Sequence, residues 1–312
     1  MTVSSPSTDP LWPRAAHWIE HAAPSGPSTC DIGLLGVPAH KTSITVTSAH
    51  TTPAAVRNAL LRYSTYATSH GVDVSDLHAL DFGDVADPDG PLGEARVAAA
   101  VARIASDCGL LIALGGDNSI TYSVLRALSA DSPAGWGLIT VDAHHDLRDG
   151  ETNGSPVRRL VEAGLPGAQI VQIGIADFSN SAAYARRAEE YGITVVSRDA
   201  LRNARLADIA SHALDIAGAG ERPVFVDFDV DVCDRAEVPG CPSAAPGGIG
   251  ADELRQLVYF MARDPRVRGI DITEIDAAID ARDQRTVRLA ALLVLEASAG
   301  VHARTRGGDA ER

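Results

Sequence analysis

The chain has 312 residues, 45% of them hydrophobic, and a mean hydropathy of +0.01, which is the composition of a globular protein with one large α/β domain or two smaller ones. Its formal net charge is -14 and Lys41 is its single lysine, so it repels phosphate backbones, and nucleic acid is excluded as an expected partner. No apolar run reaches the roughly 18 to 20 residues that span a bilayer without charges, so a soluble protein with no membrane partner is expected.

Residues 1–29 are rich in Ser, Pro and Thr and lack a basic start followed by an apolar run, so they read as a flexible tail and not as a signal peptide. Cys30, Cys108, Cys233 and Cys241 show neither zinc-type spacing nor the density of a disulfide scaffold. Reduced thiols and a cytoplasmic setting are the simpler expectation.

In chain order, residues 30–37 read as a buried strand that ends in a loop with Pro38, His40 and Lys41. A helix follows, with Thr52 as N-cap and Pro53 at its first position. Residues 78–82 form a second strand and 94–107 an Ala- and Val-rich helix. The run 109–114, apolar and bounded by glycines, has the pattern of a strand buried on both faces. It leads into Gly115-Gly-Asp-Asn-Ser119 and a helix to about Leu128. The alternation continues through strand 136–142, helix 156–163, strand 169–175, helix 179–190, strand 193–196, helix 205–217, strand 223–229, helix 251–262 and strand 268–274. A final helix from about Gln284 to Ala299 is apolar nearly all round and therefore buried. Strand-helix alternation without hairpin signals predicts a three-layer αβα domain with a parallel sheet of about eight strands. That domain would span 30–301, with 302–312 a second tail. A TIM barrel is the structural alternative, and both place chemistry at the carboxyl ends of strands.

Four strand ends carry acidic or amide groups. In Asp142-Ala-His-His-Asp146, the residues Asp142, His144 and Asp146 alternate, so extended backbone would turn them to one face as a site for a divalent cation. In Val226-Asp-Phe-Asp-Val-Asp231, the residues Asp227, Asp229 and Asp231 alternate with apolar neighbours, and like charges at that spacing repel unless a cation sits among them. Gly115-Gly-Asp-Asn-Ser119 and the strand 269–274, which ends in Glu274, complete the set.

Taken together these segments resemble the ureohydrolase family (arginase, agmatinase, formimidoylglutamase) over nearly the whole chain. The family's Gly-Gly-Asp-His-Ser, Asp-Ala-His-Xaa-Asp and Asp-Xaa-Asp signatures fall on 115–119, 142–146 and 229–231, and its Gly-Asp-Val turn on 83–85. The resemblance implies two Mn2+ ions bridged by Asp142 and Asp229, one completed by Asp146 and the other by His144 and Asp231. The first ion's histidine is replaced by Asn118, whose amide oxygen is a weaker donor, so that ion is expected to bind loosely. The resemblance also makes Asp146 the proton donor to the departing amine and Glu274 the group that holds the cationic C–N end of the substrate. It further implies a homo-oligomer.

Arginases carry a proton-shuttling His where this chain has Asn153. The run His145-Asp-Leu-Arg148 followed by Asn153-Gly-Ser155-Pro-Val-Arg158 is more similar to formimidoylglutamases, which hydrolyse formimidoylglutamate in histidine degradation. That substrate carries two carboxylates, which Arg148 suits best, with Arg158, Lys41 and His40 as lesser candidates. The expected substrate-binding set is therefore Arg148, Asn153, Ser155 and Glu274. The alternatives are an agmatinase or guanidino-acid hydrolase that releases urea, or a catalytically silent paralogue that binds a metabolite.

Overall fold

The computed structural model describes residues 9–23, 29–105 and 107–310. Its strands are β1 (Glu20–His21), β2 (Cys30–Val37), β3 (Tyr66–Ala67), β4 (Val72–Asp73), β5 (Ala79–Asp84), β6 (Cys108–Gly115), β7 (Gly137–Val141), β8 (Ile170–Ile175), β9 (Thr194–Ser197), β10 (Val224–Asp229) and β11 (Val267–Thr273). Nine of them pair in parallel as β1-β5-β2-β6-β11-β10-β7-β8-β9. The sheet is open, with β1 and β9 as its edges, so the barrel alternative is excluded.

Alternate residues of a central strand feed two cores, as the period of two requires. In β6, Leu110, Ile112 and Leu114 pack into one apolar cluster and Leu111 and Ala113 into the other. Helices α1 (Thr52–Ala59), the single turn α6 (Arg198–Leu201), α7 (Leu206–Ala217), α8 (Ala251–Ala262) and α9 (Arg285–Ala310) cover the first face. Helices α2 (Gly90–Ala102), α3 (Ile120–Leu128), α4 (Pro156–Glu162) and α5 (Ala182–Tyr191) cover the second. The predicted three-layer architecture is the observed one, with nine strands in the main sheet where about eight were expected.

Several expectations need correction. Part of the N-terminal segment read as a tail is packed: Ala15 is fully buried, Trp18 Nε1 donates to Leu77 O (2.9 Å), and β1 pairs with β5. Residues 1–8 and 24–28 of that segment lie outside the described residues. At the other end α9 continues to Ala310. His302 is buried, and the Arg304 guanidinium donates to the carbonyls of Ala262, Asp264, Val267 and Gly109, so the expected tail 302–312 is largely helix. Residues 311–312 are outside the described set. Residues 285–305 are also long and apolar enough to cross a membrane by length and composition, yet 72% of their most apolar stretch is buried inside the protein. This is how a core helix under a sheet looks. β3 and β4 form a small antiparallel hairpin that carries no turn signal of the usual Asn-Gly kind.

The cysteines also depart from expectation. Cys30 and Cys108 are joined by a disulfide, with Cα atoms 4.8 Å apart, while Cys233 and Cys241 are free and buried. The cause is topological: β2 and β6 are neighbours although 78 residues separate the two cysteines, and the register places Cys30 opposite Cys108. Spacing along the chain cannot reveal such a pair.

Candidate metal centre and active site

β6, β11, β10 and β7 are consecutive in the sheet, so the four polar strand ends found in the sequence emerge side by side. Gly116 lets this happen, because a Cβ there would stand 1.8 Å from Ala39 O. The carboxyl end of β6 and the 38–41 loop can approach only without a side chain.

The backbone does not stay extended beyond the strands. After β7, the His144 amide donates to Asp142 Oδ1 (2.6 Å) in an Asx-type turn, and Asp146 takes a φ of 54°. Asp142, His144 and Asp146 converge because the chain folds back, not because of strand alternation. Beyond β10, Asp231 lies in the 3-10 turn Val230–Val232, and its amide donates to Asp229 Oδ1 (2.8 Å). Asp227 stays within β10, where its register partner is Asp271 of β11.

Two side-chain amides brace the 142–146 turn from β8 and the loop after it. Gln172 Oε1 lies 2.7 Å from His145 Nδ1, and Gln172 Nε2 donates to His145 O (2.9 Å). Asn180 Oδ1 accepts from the His145 amide (3.0 Å) and Asn180 Nδ2 donates to Ala143 O (2.9 Å).

Among the described residues, Asp142, His144 and Asp231 each offer a ligand atom within 4.8 Å of the others. His144 Nδ1 stands 2.7 Å from Asp231 Oδ2 and 3.5 Å from Asp142 Oδ1. Asn118, His144, Asp146, Arg148, Asn153, Asp229, Asp231 and Glu274 line one cleft of about 480 Å³, and Asp142 is buried behind His144 without lining it.

Burial dominates the electrostatics of this cleft. It pushes Asp142 up to about 7, aided by the Asp231 charge, and holds Asp146 and Asp229 well above the usual carboxylate range, aided respectively by Asp142 and Asp231. Burial works against the charged form of His144, but the Asp231 and Asp142 carboxylates outweigh it and raise the imidazole to about 12. For Asp231, burial likewise opposes ionisation, yet the imidazolium of His144 brings it down to about 2. Asp142 Oδ2 is buried and makes no hydrogen bond among the described residues. An orphaned carboxylate oxygen amid crowded acids is the deficit that divalent cations repair. Carboxylates with one imidazole are also a donor set suited to Mn2+. The residues present therefore fit a metal centre.

Glu274 takes a φ of 61° and accepts two hydrogen bonds on Oε1, from the Asn118 amide and from Asn153 Nδ2, both at 2.8 Å. Its Oε2 makes no hydrogen bond among the described residues. Burial and the neighbouring Asp117 charge raise Glu274 to about 8. Asn153 also accepts from the Ile44 amide (3.0 Å), which ties the 43–47 loop to the cleft.

Other predicted positions are placed elsewhere. Asn118 Nδ2, not its oxygen, faces Asp146, donating to Oδ2 (2.5 Å). Ser155 is fully buried, and its hydroxyl donates to Thr152 O and accepts from Thr152 N, so it does not reach the cleft. Arg158 is spent on the carbonyls of Arg148 and Gly150 and on Glu162. Lys41 pairs with Asp87, while His40 points its ring toward Asp89, and neither lines the cleft. Arg148 is the exposed exception: it borders the cleft, and its guanidinium has no hydrogen bond or ion pair among the described residues. Sequence reading missed the walls supplied by Ile44, Phe178, Asn180, Tyr184 and Ser243. Tyr184 comes from α5 and the others from loops with no chemical signature, and only the amide pattern of Asn180 could have marked one of them.

Comparison with known proteins agrees with this geometry. A family model described as the arginase family matches residues 30–300. The formimidoylglutamase of Halalkalibacterium halodurans is 36% identical over 84% of this chain and 85% of its own, and that of Bacillus subtilis is 35% identical over 86% of each. The crystal structure of the B. subtilis formimidoylglutamase superposes with a TM-score of 0.88 at 32% identity, covering 97% of this chain and 96% of that one. A Trypanosoma cruzi formiminoglutamase structure with Mn2+ has the same fold, with a TM-score of 0.85 at 23% identity over 94% of this chain and 99% of that one. With the family matched across its catalytic core and such relatives over most of its length, the chain belongs to the arginase family.

Proposed function

We propose that the protein is a formimidoylglutamase, which uses water to split formimidoylglutamate into glutamate and formamide. Two observations carry the choice of substrate. Relatives about 35% identical over most of the chain bear that name, and this cleft is lined by both an exposed guanidinium with no partner among the described residues, Arg148, and a buried carboxylate, Glu274. A substrate that is an anion at one end and an amidinium at the other matches that polarity.

In this reading Asp142, His144, Asp146, Asp229 and Asp231, together with the Asn118 amide, would hold two Mn2+ ions. When bound, the ions supply an acidified water as nucleophile and positive charge against the developing anion. Arg148 clamps a carboxylate of the substrate, and Glu274 Oε2 accepts an amidinium N–H, which fixes the carbon over the carboxylate cluster. As the C–N bond to the glutamate nitrogen breaks, Asp146 passes to that nitrogen the proton it takes from the attacking water, so that glutamate leaves as a neutral amine and the carboxylate is restored.

The test is product analysis over formimidoylglutamate, agmatine, 4-guanidinobutanoate and arginine, with Mn2+ and after chelation. Formamide and glutamate in equal amounts, dependent on Mn2+, are expected from the first compound alone. Urea from any of the others, with no formamide from the first, overturns the reading.

A further inference from the structure

Beneath Asn118 lies a polar network buried as deeply as any part of the core. Thr121, Thr273, Asp227 and Asp271 are all fully buried. Thr121 Oγ1 stands 3.0 Å from Asn118 Oδ1 and 2.9 Å from Asp271 Oδ2. Thr273 Oγ1 stands 2.8 Å from Asn118 Oδ1 and 3.4 Å from Asp227 Oδ1. In this arrangement two hydroxyl protons face four acceptor contacts, because each threonine has one proton to give and two oxygens waiting for it.

Turning the amide over by 180° removes the shortage. The two N–H groups of Asn118 then donate to the two threonine hydroxyls, and each hydroxyl passes its own proton on to a carboxylate of the Asp227–Asp271 pair. Every contact then has one donor and one acceptor. The amide oxygen in turn comes to face Asp146 Oδ2 across the 2.5 Å now bridged by the amide nitrogen. Two oxygens so placed repel, and a cation between them reverses the sign. The side chain thus has two ends to offer Asp146: the nitrogen, which faces it here, and the oxygen, which a cation between them would favour.

We propose that Thr121 and Thr273, anchored by Asp271 and Asp227, are positioning residues that turn the Asn118 amide oxygen onto the metal beside Asp146. The proposal rests on the two-ion reading above. It explains how a neutral amide, which is a ligand through only one of its two ends, serves where an imidazole would bind. It also gives work to Asp227, the one acid of the alternating triplet that does not line the cleft.

The experiment measures Mn2+ affinity by equilibrium dialysis and calorimetry in the full-length protein, with thermal melting of each metal-free variant alongside. Thr121→Val keeps the shape and deletes the hydroxyl, and it is expected to weaken the looser Mn2+ site about 10- to 100-fold, with Thr121→Ser restoring it. Thr273→Val and Thr273→Ser repeat the test at a second position should Thr121→Val fail to fold. The cycle is closed in an Asn118→Ala background, where the valine substitutions have no amide to act through and are expected to change Mn2+ affinity less than twofold. Native affinity in both valine variants, or an equal loss with and without the Asn118 amide, overturns the positioning role. Native Mn2+ affinity in Asn118→Ala itself instead removes Asn118 from the metal set, a separate failure that belongs to the two-ion reading.

Discussion

At the scale of single residues, Asp146 and Arg148 divide the work between chemistry and recognition. Asp146→Asn retains the shape and the contact with Asn118 but cannot give up a proton, so at saturating Mn2+ its kcat is expected to drop by about 10²- to 10⁴-fold. Steady-state assay with the metal content measured in parallel checks this, and turnover near native would take the proton transfer away from Asp146. Arg148→Ala is expected to raise KM for formimidoylglutamate by about 10- to 100-fold, the worth of a charge-assisted pair, and to change kcat much less. An unchanged KM would leave the cleft mouth without its anion-binding group. The chemistry of these residues was readable in the sequence because acids and amides at strand ends have few structural uses. The pairing of hydroxyls was not. Ser155 has the residue type of a binding group, yet the 152–155 turn captures its hydroxyl, a competition that only three-dimensional placement decides.

At the scale of elements, the strands supply position while the short turns after them supply convergence. The alternation in β10 correctly put Asp227 and Asp229 on one face, but it could not show that the chain turns before Asp231 or folds back at Asp146. Those bends depend on Asx-type contacts whose partners are themselves site residues. Asn180 carries a prediction at this scale, because it holds both Ala143 O and the His145 amide. Asn180→Ala is expected to loosen the turn and lower Mn2+ affinity by about 10-fold, with the melting temperature of the metal-free protein little altered. An equal fall in stability without metal would make Asn180 a structural brace only.

The acid-rich turns also predict a pH effect. A carboxyl group whose pKa is higher folded than unfolded costs stability as pH climbs from the unfolded value, about 4, through the folded one. Asp142 rises to about 7, and Asp146 and Asp229 move the same way. The metal-free protein should therefore lose melting temperature between pH 5 and pH 7.5. Added Mn2+ should raise the melting temperature more at pH 7.5 than at pH 5, which differential scanning calorimetry at the two values would read directly. A larger gain at pH 5 would contradict the assignment of these acids to the metal centre.

At the scale of the whole molecule, the layered fold was legible because buried parallel strands leave near-continuous apolar runs and helices leave a longer period. What stayed hidden was long-range pairing: β1 at the sheet edge, the extension of α9, and the meeting of Cys30 with Cys108. That last contact joins the amino ends of β2 and β6, whereas catalysis belongs to the opposite rim, roughly 20 to 25 Å away along strands of eight residues. The covalent link and the reacting centre thus sit at the two poles of one sheet, with rigid backbone between them. A thiol reagent gentle enough to open the bond should cost the enzyme heat tolerance and leave its speed untouched.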